Sequence, residues 1–168
     1  MKYIKQAVHI LIITLIQTIL CPYIKIAGVM PDLLFIYVLY QASKGKSMTW
    51  VMCTAAICGA VADCLTGRIF GIYVSVYLIA SVGVFFIKEA VFKNGAVVSI
   101  LTVFLLCIAG KSLFYTMNIS VLKDTGYLYS LLKIILPEAV YNTVIFVLAE
   151  LFNKIIGKRI NKRKAGDY

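Results

Sequence analysis

Long apolar blocks alternate along this chain with short clusters of charged, proline and glycine residues. The blocks lack the short alternation of apolar and polar positions that is typical of barrel strands. Apolar blocks of this length predict α-helices that cross a bilayer, which takes about 20 residues for each helix. The six predicted spans are approximately 6–24, 31–43, 48–65, 69–88, 96–117 and 137–156.

The second block is the weakest of the six. Only 11 uncharged residues separate Asp32 from Lys44, which fits either a short, tilted span with snorkelling ends or a re-entrant segment. With six spans and the N-terminus inside, 12 of the 17 Lys and Arg residues fall on the cytoplasmic side. If the block did not cross, the basic tail would be exported, against the positive-inside tendency. We therefore expect an all-α membrane protein with six transmembrane helices, both termini cytoplasmic, in a single polytopic domain.

Composition agrees with a membrane protein and excludes a soluble nucleic-acid binder. The chain is 62% hydrophobic and 14% charged, and a soluble domain of 168 residues would have to expose much of that apolar surface. The net charge of +10 comes from basic residues at the ends of blocks, where topology is decided. The segment 157–168 is predicted to be a cytoplasmic tail attracted to anionic lipid, with a protein partner as the alternative. Its basic residues are Lys158, Arg159, Lys162, Arg163 and Lys164.

The predicted topology brings several polar residues to a similar depth in the outer half of the bundle. Ionisable residues at such a depth are costly and indicate a functional site or a ligand pocket. A structural role is the alternative for Asp32 and Glu138, because each follows a proline at a predicted helix start, where a carboxylate can cap free N–H groups. The expected outer polar cluster consists of Gln17, Asp32, Asp63, Arg68, Lys111, Glu138 and Asn142.

Asp63 differs from the other carboxylates because it lies near the predicted C-terminus of a helix. The helix dipole disfavours a negative charge there, so we expect a cation partner, either Arg68 or Lys111. Gly67 and Gly71 follow and predict a shaped turn into the fourth span. On the inner side, Glu150 is expected to pair with Lys154 four residues later.

Small residues form one face of the third span. Ala55 with Gly59, and Ala56 with Ala60, have the small-xxx-small spacing that allows two helices to approach closely. The sequence leaves open whether the neighbour is a helix of this chain or of another subunit. The apolar, helically spaced residues in the second half of the connection 118–136 predict an amphipathic helix on the outer surface.

Catalytic patterns are missing from the sequence. The single histidine, His9, lies far from any candidate nucleophile, and the five cysteines form no C-x-x-C pair and no Cys/His cluster. The acidic residues are too dispersed for the carboxylate clusters that hold Mg²⁺ in membrane phosphotransferases. We therefore expect no enzyme activity, no metal and no cofactor.

The order of four segments resembles the MreD family, the six-helix rod shape-determining membrane proteins of bacteria. The segments are "LIQTIL", "PDLLFIYVLY", "GAVADCLTGRIFGIYVSVYL" and "LPEAVYNTVIFVL", and the resemblance covers nearly the whole chain. Its more specific positions are Gln17, Pro31-Asp32, the block Gly59–Asp63–Gly67–Gly71 and Asn142.

The resemblance implies a non-enzymatic scaffold in cell elongation, located in the bacterial cytoplasmic membrane. Implied partners are an MreC-like protein, a RodA-type glycosyltransferase and a class B penicillin-binding protein, with MreB filaments contacted indirectly. The fold of the family is similar to that of the S components of energy-coupling-factor transporters. The alternative function is therefore an S component that binds a vitamin-like solute on its outer side.

Overall fold

The computed structural model describes residues 2–25, 28–44, 47–67, 70–92, 96–117, 129 and 131–165. Within these residues the protein is all-helical, and its six α-helices coincide with the six predicted blocks, so the all-α prediction is confirmed. The helices are α1 (Lys2–Ile19), α2 (Leu33–Lys44), α3 (Met48–Thr66), α4 (Ile72–Phe92), α5 (Ala96–Met117) and α6 (Leu136–Ala165).

Two short irregular turns lie at the ends of these helices. A 3₁₀ turn at Cys21–Tyr23 follows α1 and contains Pro22, which cannot continue the α-helical hydrogen bonding. A π-helical turn at Leu131–Ile135 leads directly into α6. This turn is the last part of the amphipathic helix predicted within 118–136, and most of that prediction lies outside the described residues.

Three stretches are long and apolar enough to cross a membrane. They are Ile4–Tyr23, Met48–Thr66 and Leu131–Phe152, and the shorter apolar stretches are Ile72–Lys88 and Ile100–Thr116. Helix α2 has 12 residues. At a rise of 1.5 Å per residue it is about 18 Å long, against about 30 Å of hydrocarbon in a bilayer. By length and composition together, three helices among the described residues could therefore cross a membrane.

Helix α2 occupies the centre of the bundle, where it packs against α1, α3, α4 and α6. Helix α4 lies next to it. It packs against α2, α3 and α5, while α6 packs against α5 and α2. Helix α1 lies at the periphery, chiefly against α2, and only 11% of the stretch Ile4–Tyr23 is buried. Large side chains from α2, α4 and α6 fill the core; the bulkiest fully buried ones include Leu34, Phe35, Leu39, Tyr77 and Phe146.

The backbones of α3 and α4 approach closely at Gly59. A Cβ atom at this position would lie 2.5 Å from the Cα of Val74, a distance that real Cβ contacts do not reach. Gly59 therefore faces a helix of the same chain, which answers the question that the sequence left open for this residue. Ala55 is fully buried, whereas Ala56 and Ala60 are partly exposed.

Helix α6 continues into the basic end of the chain. Its 30 residues reach Ala165, so most of the predicted tail 157–168 has a helical backbone. The tail's Lys and Arg side chains lie outside the described part of the structure, as does the side chain of Lys154.

Candidate functional site

Asp32 begins α2 as an N-cap. Its Oδ1 accepts a hydrogen bond from the backbone N–H of Phe35 at 3.1 Å, and its carbonyl oxygen accepts one from Ile36 at 3.0 Å. This is the capping role expected from the Pro31-Asp32 pair, since the first N–H groups of a helix have no partner within the helix. The carboxylate is nevertheless only 5% exposed. The oxygen lone pairs that the cap does not use face the interior of the bundle.

Lys111 of α5 lies between two buried carboxylates. Its Nζ is 2.5 Å from Oε1 of Glu138 and 3.4 Å from Oδ2 of Asp32, and the lysine side chain is 12% exposed. Taking three ionisable groups out of solvent is expensive, and close pairing is what makes it tolerable. The ion triad of Asp32, Lys111 and Glu138 therefore joins α2, α5 and α6.

The expected capping role of Glu138 was wrong. The π-helical turn Leu131–Ile135 runs directly into α6, so Glu138 does not stand at a free helix start. Its carboxylate pairs with Lys111 instead of capping backbone N–H groups. The proline rule failed here because the residues before Pro137 are themselves helical.

Tyr77 provides a further hydrogen bond to the carboxylate of Asp32. Its hydroxyl donates to Oδ1 of Asp32 at 2.7 Å, and the side chain is 1% exposed. Rings surround the triad on this side, with the Tyr73 centroid 5.5 Å and the Phe114 centroid 5.9 Å from Nζ of Lys111. Sequence reasoning missed Tyr77. The available signal was the pair of tyrosines four residues apart in an otherwise uncharged span, which places two hydroxyl-bearing rings on one helix face.

Two amides hold the start of α2 from either side. Oδ1 of Asn142 accepts from the backbone N–H of Asp32 at 2.9 Å, and Oε1 of Gln17 accepts from that of Leu34 at 2.9 Å. Asn142 is fully buried, and its Nδ2 reaches no acceptor among the described residues. Helices α1 and α6 are thus both anchored to the first turn of α2.

Asp63 is separate from this triad and has a different set of partners. Its carboxylate accepts hydrogen bonds from the backbone N–H groups of Gly71 at 2.8 Å, Tyr73 at 3.0 Å and Val74 at 3.3 Å. The expected pairing with Lys111 was wrong, because Lys111 is held by Asp32 and Glu138. The carboxylate instead meets the positive end of the next helix, α4.

The turn between α3 and α4 is shaped around that carboxylate. Gly67 ends α3 in the left-handed region at φ 61°, and its N–H donates to the carbonyl oxygen of Asp63 at 3.1 Å. Gly71 has φ 105°, which favours glycine, and supplies one of the N–H groups bound by Asp63. Arg68 lies outside the described residues. Asp63 therefore positions Tyr73, whose ring covers one side of Lys111.

A cavity of about 280 Å³ lies beside the ion triad. Its lining includes all three members of the triad and the polar residues Gln17, Thr66, Tyr73 and Tyr115. Among the described residues, no three His, Cys, Asp or Glu side chains converge as they would around a metal ion. The ion triad is therefore an electrostatic crosslink between helices, with a small cavity next to it.

At the opposite end of the bundle, Glu150 also has a partner other than the expected one. Its Oε1 lies 2.8 Å from Nζ of Lys44 at the end of α2. The ion pair therefore joins α6 to α2. The predicted pair with Lys154 involves a side chain outside the described residues and stays a prediction.

Comparison of the chain with protein-family models, with curated proteins and with solved structures gave no match. The resemblance to the MreD family therefore rests on the four sequence segments that carry it.

Proposed function

We propose that this protein is a non-enzymatic scaffold of the bacterial cell-elongation machinery and a member of the MreD family. In this role it organises an MreC-like protein and the peptidoglycan synthases, a RodA-type glycosyltransferase with its class B penicillin-binding protein. MreB filaments are reached indirectly. The order of the segments around Gln17, Asp32, Asp63 and Asn142 supports the family, and the geometry of the bundle supports a structural function.

The proposed setting is the cytoplasmic membrane, with six spans and both termini inside. The support is the distribution of Lys and Arg together with the three helices of spanning length. Helix α2 is short for a span, so its ends must lie within the membrane boundary. Asp32 at one end is ion-paired with Lys111, and Lys44 at the other can extend its ammonium toward water.

The observation that carries a structural role is the internal use of the buried charges. Asp32 and Glu138 both bind Lys111, and Asp32 also accepts from Tyr77 and from its own helix. Groups that bond to one another in this way fix the relative positions of helices. This use of the charged side chains supports a scaffold.

Helix α1 is the surface that we assign to partner contact. Its apolar side chains Leu11 and Leu15 are 60% and 50% exposed. A groove of about 600 Å³ with almost no polar lining runs between α1 and α3, past Ile10, Thr14 and Ile57. Close packing of apolar helices is how transmembrane partners associate without a hydrophobic driving force in lipid.

Photocrosslinking in growing cells tests this proposal. A photoreactive phenylalanine analogue at Leu11 of α1 is expected to capture the MreC-like protein or an elongation synthase. The same residue at Ile79 of α4, which is 58% exposed, is the matched control and is expected to capture neither. Two results together would overturn the scaffold function. No elongation protein would be crosslinked to Leu11, and cells that lack the gene would keep their rod shape.

One observation favours the alternative, an S component that binds a vitamin-like solute. Two carboxylates share one ammonium beside the cavity of about 280 Å³, and Nδ2 of Asn142 has no acceptor among the described residues. Native mass spectrometry of the purified protein separates the two functions. A solute tightly bound to the wild-type protein supports the S component and contradicts the scaffold; an empty protein supports the scaffold.

A further inference from the structure

A second large cleft lies at the end of the bundle opposite the ion triad. It has a volume of about 590 Å³ and separates the N-terminal half of α1 from α2 and α6, with the first turn of α3 at its mouth. This volume is within the range of roughly 300–1,000 Å³ that small-molecule sites occupy. The cleft shares no lining residue with the cavity beside the triad.

The lining of this cleft changes from polar to apolar along its length. Lys5 and His9 of α1, Gln41 of α2 and Trp50 of α3 lie toward the end of the bundle. The deeper walls are aliphatic and come from the middle of α1, the beginning of α2 and the middle of α6. These deeper residues are Ile13, Leu33, Ile36 and Ile145.

The charges at the mouth are suited to an anion. Lys44 follows the cleft residue Gln41 in α2 but is already paired with Glu150. Lys5 belongs to none of the described ion pairs. Nδ1 of His9 lies 2.6 Å from the carbonyl oxygen of Lys5, so Nδ1 carries a hydrogen, and Nε2 donates to an anion when the ring is in the imidazolium form. The Lys5 ammonium therefore stands at the polar end of an aliphatic cleft, with the His9 ring beside it.

We propose that this cleft binds one anionic glycerophospholipid from the cytoplasmic leaflet. The phosphate lies at Lys5 and His9, and an acyl chain follows Ile13, Ile36 and Ile145 into the bundle. A lipid matches both ends of the cleft, because its headgroup supplies the anion and its chain supplies the apolar surface. The inference rests on the membrane orientation given under Proposed function, but not on the scaffold role.

The single tryptophan of the chain provides the measurement. Trp50 lines the cleft, so phospholipids with brominated acyl chains quench its fluorescence when a chain lies close to it. The protein is reconstituted in phosphatidylcholine vesicles that contain a minor fraction of brominated phosphatidylglycerol, or the same fraction of brominated phosphatidylcholine. One lysine at an anionic lipid corresponds to about a fivefold preference, so we expect stronger quenching by the phosphatidylglycerol.

Three variants make the result specific. Lys5→Gln is expected to lower quenching by brominated phosphatidylglycerol to the phosphatidylcholine level. Lys25→Gln removes the same charge near the far end of α1 and is expected to leave the preference unchanged. Ile13→Phe narrows the aliphatic part and is expected to reduce quenching by both lipids while α-helical circular dichroism stays unchanged.

Equal quenching by the two brominated lipids, or a preference that survives in Lys5→Gln, overturns the lipid site. No quenching by either lipid overturns it as well, because no chain then reaches Trp50. The scaffold function fails by a different result, the lack of crosslinks from Leu11 in cells.

Discussion

Lys111 is the residue on which the buried charges of the bundle depend. Its ammonium lies between Asp32 and Glu138, and each of these carboxylates is less than a tenth exposed. Removing one partner of a buried ion pair leaves a charge with neither water nor a counterion. The unpaired buried charge destabilises the protein by more than the intact ion pair stabilises it.

Lys111→Met keeps the length of the side chain and removes its charge. We expect a loss of about 3–5 kcal/mol in the free energy of unfolding, because two carboxylates lose their shared counterion. The measurement is the unfolding of the purified protein in detergent, by temperature or denaturant. Adding Glu138→Gln to this variant is expected to recover part of the loss, since one buried charge fewer remains unpaired.

The matched control for this comparison is Lys133→Met. Lys133 belongs to the π-helical turn and is exposed, so its replacement is expected to change stability by less than about 1 kcal/mol. Equal stability of the Lys111 and Lys133 variants would contradict the assignment of the triad as a crosslink.

At this scale the sequence predicted which residues share a depth but not which atoms pair. Gln17, Asp32, Lys111 and Asn142 could be grouped because topology alone sets depth. Pairing depends on the rotation of each helix, which the π-helical turn before α6 alters and which apolar periodicity does not reveal. Asp63 illustrates the difference: the dipole argument predicted a cation partner, whereas its described partners are backbone N–H groups of Gly71 and of the first turn of α4.

Helices α3 and α4 behave as one unit because their backbones touch and their connection is capped. Gly59 permits the contact with Val74, and Asp63 ties the end of α3 to the first turn of α4. Such a pair has little freedom to slide, since both the close approach and the cap fix its register. The unit carries Tyr73 and Tyr77, which surround the triad on one side.

Gly59→Ala tests the close approach. Alanine is the better helix former by about 1 kcal/mol, yet here its Cβ would lie 2.5 Å from the Cα of Val74. We expect a net loss of stability, because overpacking against backbone costs about 1–3 kcal/mol. The melting temperature in detergent measures it.

Gly83→Ala is the control within the same pair of helices. A Cβ at Gly83 would meet nothing within 4 Å, so the helix-propensity gain is expected to appear as unchanged or higher stability. If Gly59→Ala were as stable as Gly83→Ala, the close packing of α3 on α4 would be wrong.

The number and order of the helices were predictable, and most of their ends were predicted within a few residues. The C-terminal ends were missed in two helices: α1 ends five residues before the predicted 24, and α6 continues nine residues beyond the predicted 156. Proline, glycine and charge mark the boundaries of the apolar blocks strongly enough to predict the other ends. The two exceptions, the 3₁₀ turn at Cys21–Tyr23 and the π-helical turn at Leu131–Ile135, lie inside apolar sequence. The hydropathy of a residue is the same in an α-helical and in a π-helical turn, so a hydropathy profile cannot distinguish the two kinds of turn.

The whole molecule has two chemically distinct ends. One end contains the ion triad and its small cavity; the other contains the larger cleft and the pair of Lys44 with Glu150. In the proposed membrane orientation the triad faces outward and the cleft faces the cytoplasm. Composition alone indicated a membrane protein. The chemistry of the two ends could not be predicted from it, because it depends on how α1 and α6 pack on α2.

Reporter fusions test the six-span arrangement and its weakest member, α2. Green fluorescent protein fused after Ser47 or after the last residue is expected to fluoresce, because both points lie in the cytoplasm. Alkaline phosphatase fused after Gly28 or Tyr129 is expected to be active, because both points lie outside. Whole-cell fluorescence and phosphatase activity are the measurements. A dark fusion after Ser47 together with an active phosphatase there would contradict a membrane-crossing α2.

The crosslink at Asp32 joins parts of the chain that are synthesised at different times. Asp32 precedes Lys111 by 79 residues and Asn142 by 110. At about 5–20 residues per second, its carboxylate waits roughly 4–16 s for the lysine. Until then the start of α2 is supported by its own helix, by Gln17 and, once it is synthesised, by the hydroxyl of Tyr77. An unfinished chain therefore carries the Asp32 carboxylate without its counterion, and only the synthesis and insertion of α5 supply one.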